Sequence, residues 1–176
     1  MPNGQGWPQR RSIRLGGFDY AGAGAYFVTV CVQHRVCLFG SVIDDEVRLN
    51  EAGETILDRW TRLPSRYARI EVDAVVVMPN HVHGIIMVNH DDDWRGEPRP
   101  VLGDIVGWFK TMTTNEYIRG VRERGWEPFP GRLWQRNYYE YIIRNERAHE
   151  RIRAYIAANP SRWPFDEENP GRTITR

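Results

Sequence analysis

The stretch that most narrows the choice of fold is Arg69 to Val88, RIEVDAVVVMPNHVHGIIMV. Apolar and β-branched residues fill it on both sides of Pro79-Asn80, a composition that favours strands buried on both faces. The proline and asparagine either bend one long strand or return it as a second. Side chains alternate along a strand, so His81 and His83 share one face while Val82 points to the other. Two imidazoles about 7 Å apart at Cα can hold one metal ion. A hydrogen-bonded histidine pair at a sheet edge is the plain alternative, because His-x-His specifies only two positions.

A second run, AYFVTVCVQ from Ala25 to Gln33, is apolar on both faces and reads as a central strand. VCLFGSVI and EVRLN flank Asp44-Asp45 as a hairpin. Asn50 caps a helix in which Ala52, Ile56, Leu57, Trp60 and Leu63 recur at helical spacing until Pro64 stops it. The charged stretch from Asn89 to Pro100 is a loop, and Asp91 to Asp93 solvate it rather than gather a metal. Leu102, Ile105, Val106, Phe109, Met112 and Tyr117 mark another helix, which carries Lys110; LWQRNYYEYIIR reads as a strand and NERAHERIRAYIAANP as a helix closed by Pro160. Strand, helix, strand, strand, helix, strand, helix is the order of an α+β fold: a ferredoxin-like antiparallel sheet with helices packed on one face. Residues 1–20 form an irregular basic arm, 21–163 the folded domain and 164–176 a C-terminal tail, and no internal repeat is visible.

With 176 residues and 41% hydrophobic content the chain can bury one core. It has no apolar run long enough to span a bilayer and no hydrophobic leader in MPNGQGWPQRRSIRLGG, so a cytoplasmic protein without membrane contact is expected. Cys31 and Cys37 read as reduced thiols. The net charge of +1 decides little, but its distribution is informative: of the 24 basic residues all but Lys110 are arginine. Arginines are dense from Arg119 to Arg153, where they serve equally as phosphate ligands or as a solvated helix face.

Tyr155 and Asn159 in YIAANP lie one helical turn apart on one face. A tyrosine hydroxyl can attack a phosphodiester when a metal neutralises the phosphate, and an amide oxygen one turn on can add a third ligand to two histidines. An ordinary amphipathic helix gives the same spacing. Tyr138, Tyr139 and Tyr141 are rival nucleophiles, but sit in a strand-like run where aromatics pack.

The strings AYFVTVCVQHRVCLFG, LNEAG, VVVMPNHVHGIIMV, the Phe109-Lys110 pair, LWQRNYYEYIIRNE and YIAANP follow one another over about residues 11 to 163. In that order they resemble the single-tyrosine HUH transposases of the insertion-sequence type, above all the REP-associated tyrosine transposases. The resemblance implies a ferredoxin-like catalytic domain over residues 21–163. It further implies a metal-dependent endonuclease and strand transferase, acting on single-stranded DNA next to a hairpin through a 5′-phosphotyrosine. His81 and His83 then match the pair that binds Mg²⁺ or Mn²⁺, Tyr155 the nucleophile and Asn159 the third metal ligand. Relatives of this kind act as monomers or as homodimers.

For DNA binding the candidates are Lys110, Arg132, Arg136 and Arg144, with Arg10, Arg11 and Arg14 of the basic arm. Trp134 and Gln135 lie in a matching string, with a core role favoured for the tryptophan. Two rival readings stand beside the nuclease. One is a non-catalytic hairpin-binding protein of the same fold, against which the intact Tyr155, His81, His83 and Asn159 argue. The other is a zinc hydrolase, which lacks a further Cys or His ligand at a familiar spacing.

Overall fold

The computed structural model describes residues 24–89 and 100–172. Four strands make one antiparallel sheet: β1 (Gly24–Cys31), β4 (Ile70–Met78), β5 (His81–Val88) and β6 (Tyr139–Ile143), in the spatial order β4-β5-β1-β6. With the hairpin strands set aside, that is second, third, first, fourth, the ferredoxin-like order. The hairpin β2 (Gly40–Ile43) and β3 (Glu46–Leu49) forms a separate small sheet. Its turn residues Asp44 and Asp45 both have positive φ, 52° and 61°, as two-residue hairpin turns require.

Helix α1 (Glu51–Thr61) begins where the Asn50 side chain accepts the Gly53 N–H at 2.9 Å. It ends short of Pro64, which the periodicity makes a stop. Proline is tolerated in a helix's first turn, and Pro64 instead sits in the opening turn of the short α2 (Leu63–Arg66). Pro160 behaves likewise: α4 (Glu146–Ala157) ends before it, and it opens α5 (Asn159–Arg162). The long α3 (Leu102–Arg124) joins β5 to β6 across residues that include the undescribed 90–99.

β1 and β5 are buried on both faces, as their composition demands. Tyr26, Val28, Val30, Val82 and Ile86 face α1 and α3, where Ile56, Trp60, Ile105 and Phe109 complete the larger core. Each such aliphatic or aromatic side chain contributes about 1.5–3 kcal/mol on burial. Gly84 belongs to this face: a Cβ there would lie 2.4 Å from the Trp60 ring, so only glycine lets α1 approach the strand so closely. Phe27 and Ile85 point the other way, onto Ala148, Ile152 and Ile156 of α4. The antiparallel sheet with helices packed against it is therefore present, with one correction. α1 and α3 cover one face, and α4, expected beside them, covers the other.

The run LWQRNYYEYIIR is strand only over Tyr139–Ile143. Earlier, Trp134 makes one isolated bridge to Val32, and the carbonyls of Gln135, Arg136 and Asn137 turn away from the sheet to meet Lys110 Nζ at 2.9, 3.2 and 3.2 Å.

Candidate active site

His81 opens β5 and His83 follows on the same face; β1 places Thr29 opposite His83 and Cys31 opposite His81. The two imidazole rings stand edge to face with centroids 4.5 Å apart. Phe27 stacks on His83 at 5.4 Å, and both histidines are buried. The hydroxyl of Thr29 bonds His83 Nδ1 at 2.8 Å.

Asn80 settles the tautomer of His81. Its Nδ2 donates to the carbonyls of Arg35 and Glu168 at 2.8 and 2.7 Å, which fixes the amide, so its Oδ1 accepts from His81 Nδ1 at 2.9 Å. The Nε2 lone pair of His81 is left without a hydrogen-bond partner and fully buried. Burial holds His81 down to about 3 and His83 well below the ordinary imidazole value, so both rings are neutral at pH 7. Neutral rings with a free lone pair are the form in which histidine ligates metals.

α4 crosses above the pair. Asn145 caps it by accepting the Ala148 N–H at 2.9 Å, and Asp73 of β4 anchors its outer edge, bonding His149 Nε2 at 2.7 Å and Arg153 Nε at 3.3 Å. The helix so placed sets the Tyr155 ring 5.4 Å from His83 and 5.9 Å from Phe27. Burial, then the negative charge of Asp166, raise the Tyr155 phenol above its usual range, while the Asn159 amide lowers it. Asn159 is itself buried, acts on both His81 and Tyr155, and has no hydrogen-bond partner at its Oδ1.

The chain then returns through a tight turn, Trp163–Phe165, in which the Trp163 ring lies 6.0 Å from His81. Asp166 follows, and the ligand atoms of His81, His83 and Asp166 all lie within 4.8 Å of one another. Two neutral imidazoles, a carboxylate, and two buried polar atoms lacking partners fit a divalent cation. Sequence reasoning missed Asp166, because no spacing rule links a carboxylate in a tail to a histidine pair in a strand. It missed the parts of Asn80 and Thr29 too, although Asn80 stands inside the matching string.

The structure thus brings His81, His83, Tyr155 and Asn159 together. Arg132, Arg136 and Arg144 are exposed, and Arg10, Arg11 and Arg14 lie outside the described residues. Lys110 directs its ammonium to three backbone carbonyls, beside the Tyr138 ring at 5.6 Å, and burial lowers it to about 8. Trp134 is a core residue whose Nε1 donates to Thr113 at 2.9 Å. Tyr139 packs edge-on against Phe27 at 6.2 Å.

An antiparallel ferredoxin-like sheet with a buried histidine pair on a central strand, faced by a tyrosine from a helix packed on one side, defines an α+β domain with a cluster of His81, His83 and Asp166 that could hold a metal ion. Residues 26–159 match the sequence profile of the IS200-like transposases, and the chain belongs to that family. It is 36% identical over 172 residues to an uncharacterized protein of Haemophilus influenzae, covering 90% of this chain and 92% of that one. A second Haemophilus influenzae protein, provisionally named a REP-associated tyrosine transposase, is 23% identical over 85% of this chain and 77% of its own. Among solved structures, a REP-associated tyrosine transposase bound to a REP hairpin shares the fold, with a TM-score of 0.53 at 21% identity over 79% of this chain and 67% of that chain.

Proposed function

We propose that this IS200-like transposase cuts and rejoins single-stranded DNA next to a hairpin, with Tyr155 as the nucleophile and a divalent cation at His81 and His83. The observation that carries the reading is the convergence of Tyr155 and Asn159 on the two buried, neutral histidines. A covalent step gives the phenol a role there as nucleophile. Family membership and the fold shared with a hairpin-bound REP-associated transposase support the substrate class.

His81 and His83 would hold the ion, with Asn159 or Asp166 completing the site. A bound Mg²⁺ or Mn²⁺ supplies the positive charge that offsets the scissile phosphate and the charge of its transition state. The remaining steps belong to the chain. The phenolic oxygen of Tyr155 takes the phosphorus, the bond from phosphorus to the 3′-oxygen breaks, and the phenol proton passes through solvent to the departing 3′-hydroxyl. The bond energy stays in the 5′-phosphotyrosine, so a second 3′-hydroxyl can reverse the step and join DNA without ATP. Phe27 and Ile152 pack beside Tyr155 and limit water around the phosphotyrosine linkage.

Arg132, Arg136 and Arg144, with the arm residues Arg10, Arg11 and Arg14, are the proposed phosphate contacts. Lys110 has a different part: it braces the loop from which Arg136 projects. No helix among the described residues is long and apolar enough to cross a membrane; the proposed setting is DNA in the cytoplasm, with the chain acting as monomer or homodimer.

The test is a denaturing gel of wild type and Tyr155→Phe with Mn²⁺ and labelled single-stranded hairpin oligonucleotides drawn from DNA flanking the gene. Label migrating with the protein in wild type alone supports the reading. Hairpin binding without cleavage or adduct in either protein supports a non-catalytic hairpin-binding protein instead.

A further inference from the structure

We propose that Asp166 is the anionic ligand of the metal centre, so that the segment following the tyrosine helix forms one wall of it. This rests on the metal reading given under the proposed function and goes beyond it: the chain carries a charged oxygen donor in addition to the amide of Asn159.

Three observations carry the assignment. First, Asp166 shares a space with His81 and His83 in which all three ligand atoms lie within 4.8 Å of one another, and His81 Nε2 is buried there without a hydrogen-bond partner. Second, the carboxylate is held in place. The Asp166 N–H donates to the Trp163 carbonyl at 3.1 Å, and the Glu168 N–H donates to Asp166 Oδ1 at 2.7 Å. Glu168 is tied in turn to Asn80, just before the histidine strand, through its carbonyl to Nδ2 at 2.7 Å, and to Arg35, in the turn after β1, through its carboxylate at 3.1 Å. One amide, Asn80, therefore orients His81 and anchors the segment that delivers Asp166. Third, the half-buried carboxylate has no salt-bridge partner among the described residues. A carboxylate placed beside two neutral imidazoles suits a bound cation.

The donor set has a chemical consequence. Two imidazoles alone favour softer ions such as zinc or copper, whereas a carboxylate and an amide oxygen shift the site toward Mg²⁺ and Mn²⁺. Asp166 would thus set which metal the site takes, as well as how tightly.

The experiment is a Mn²⁺ titration without DNA, followed by electron paramagnetic resonance, of wild type, Asp166→Asn, Asp166→Glu and His81→Ala, with a thermal unfolding curve for each. Asparagine keeps an oxygen for the Glu168 N–H and removes the charge. The expected result is a loss of Mn²⁺ affinity of about tenfold or more in Asp166→Asn, partial recovery in Asp166→Glu, and an unfolding midpoint close to wild type in metal-free Asp166→Asn. Equal Mn²⁺ affinity in wild type and Asp166→Asn, with His81→Ala impaired, would overturn the role of Asp166 and leave the histidine site standing. No Mn²⁺ binding by wild type would overturn both.

Discussion

Both ends of the Asn80 amide are committed, one to two carbonyls and the other to His81 Nδ1. Asn80→Ala removes all three hydrogen bonds from a buried position, and the expected cost is about 2–3 kcal/mol in denaturant unfolding. Because His81 then loses the partner that fixes its tautomer, Mn²⁺ affinity falls by about tenfold in the same protein. The buried histidines also set an acid limit on the metal-free chain. Burial holds His81 down to about 3 when folded, against the ordinary imidazole value of 6.5 when unfolded, so the unfolded chain takes up protons first as pH drops. Stability is fully present above about pH 6.5 and declines toward pH 3, by about 1.4 kcal/mol per pH unit for this histidine. Urea midpoints from pH 7 to pH 4 check this, and a His81→Gln variant should show a shallower decline.

Two elements show how packing serves the site. In β5 the alternation that puts His81 and His83 on the α4 face also puts Gly84 under Trp60 on the other. Gly84→Ala overpacks that contact at an expected cost of about 1–3 kcal/mol, read from thermal unfolding. Since Gly84 adjoins His83, cleavage should drop as well. The loop after α3 depends on Lys110. Lys110→Met should lower stability by about 1–3 kcal/mol, a figure already reduced for its partial exposure, and weaken DNA binding. The slope of log affinity against log salt should stay unchanged, whereas loss of a phosphate contact would reduce it by about 0.7 for single-stranded DNA. The strands β1, β4 and β5, the cap Asn50 and the spacing of Tyr155 and Asn159 are local patterns, and these were legible in the sequence. The side of the sheet that α4 covers was not. Its apolar stripe of Ala148, Ile152 and Ile156 fits either face, and the side is decided by Phe27 and Ile85, distant in the chain. Lys110 was visible as a cation, but its partners are backbone carbonyls, which no side-chain pattern reveals.

Across the whole molecule, the site is assembled from three remote parts of the chain: Thr29 from the first strand, His81 and His83 from the third strand of the main sheet, and Tyr155, Asn159 and Asp166 from its C-terminal part. The ferredoxin-like strand order puts the first and third strands side by side, which makes this assembly possible. Asp166 enters only through a turn after α5, so its place depends on tertiary contacts at Asn80 and Arg35 rather than on any motif. If the exposed arginines hold DNA as proposed, binding should weaken steeply as salt rises. The central claim is that Tyr155 becomes joined to DNA. Mass spectrometry of the tryptic peptide Ala154–Arg162, in which Tyr155 is the one tyrosine, measures it after incubation with Mn²⁺ and a cleavable single-stranded hairpin. A nucleotide phosphate attached to that peptide, and lost with Tyr155→Phe, is the predicted result. DNA cut while that peptide stays unmodified, or an adduct on the peptide carrying Tyr138, Tyr139 and Tyr141, would contradict the account.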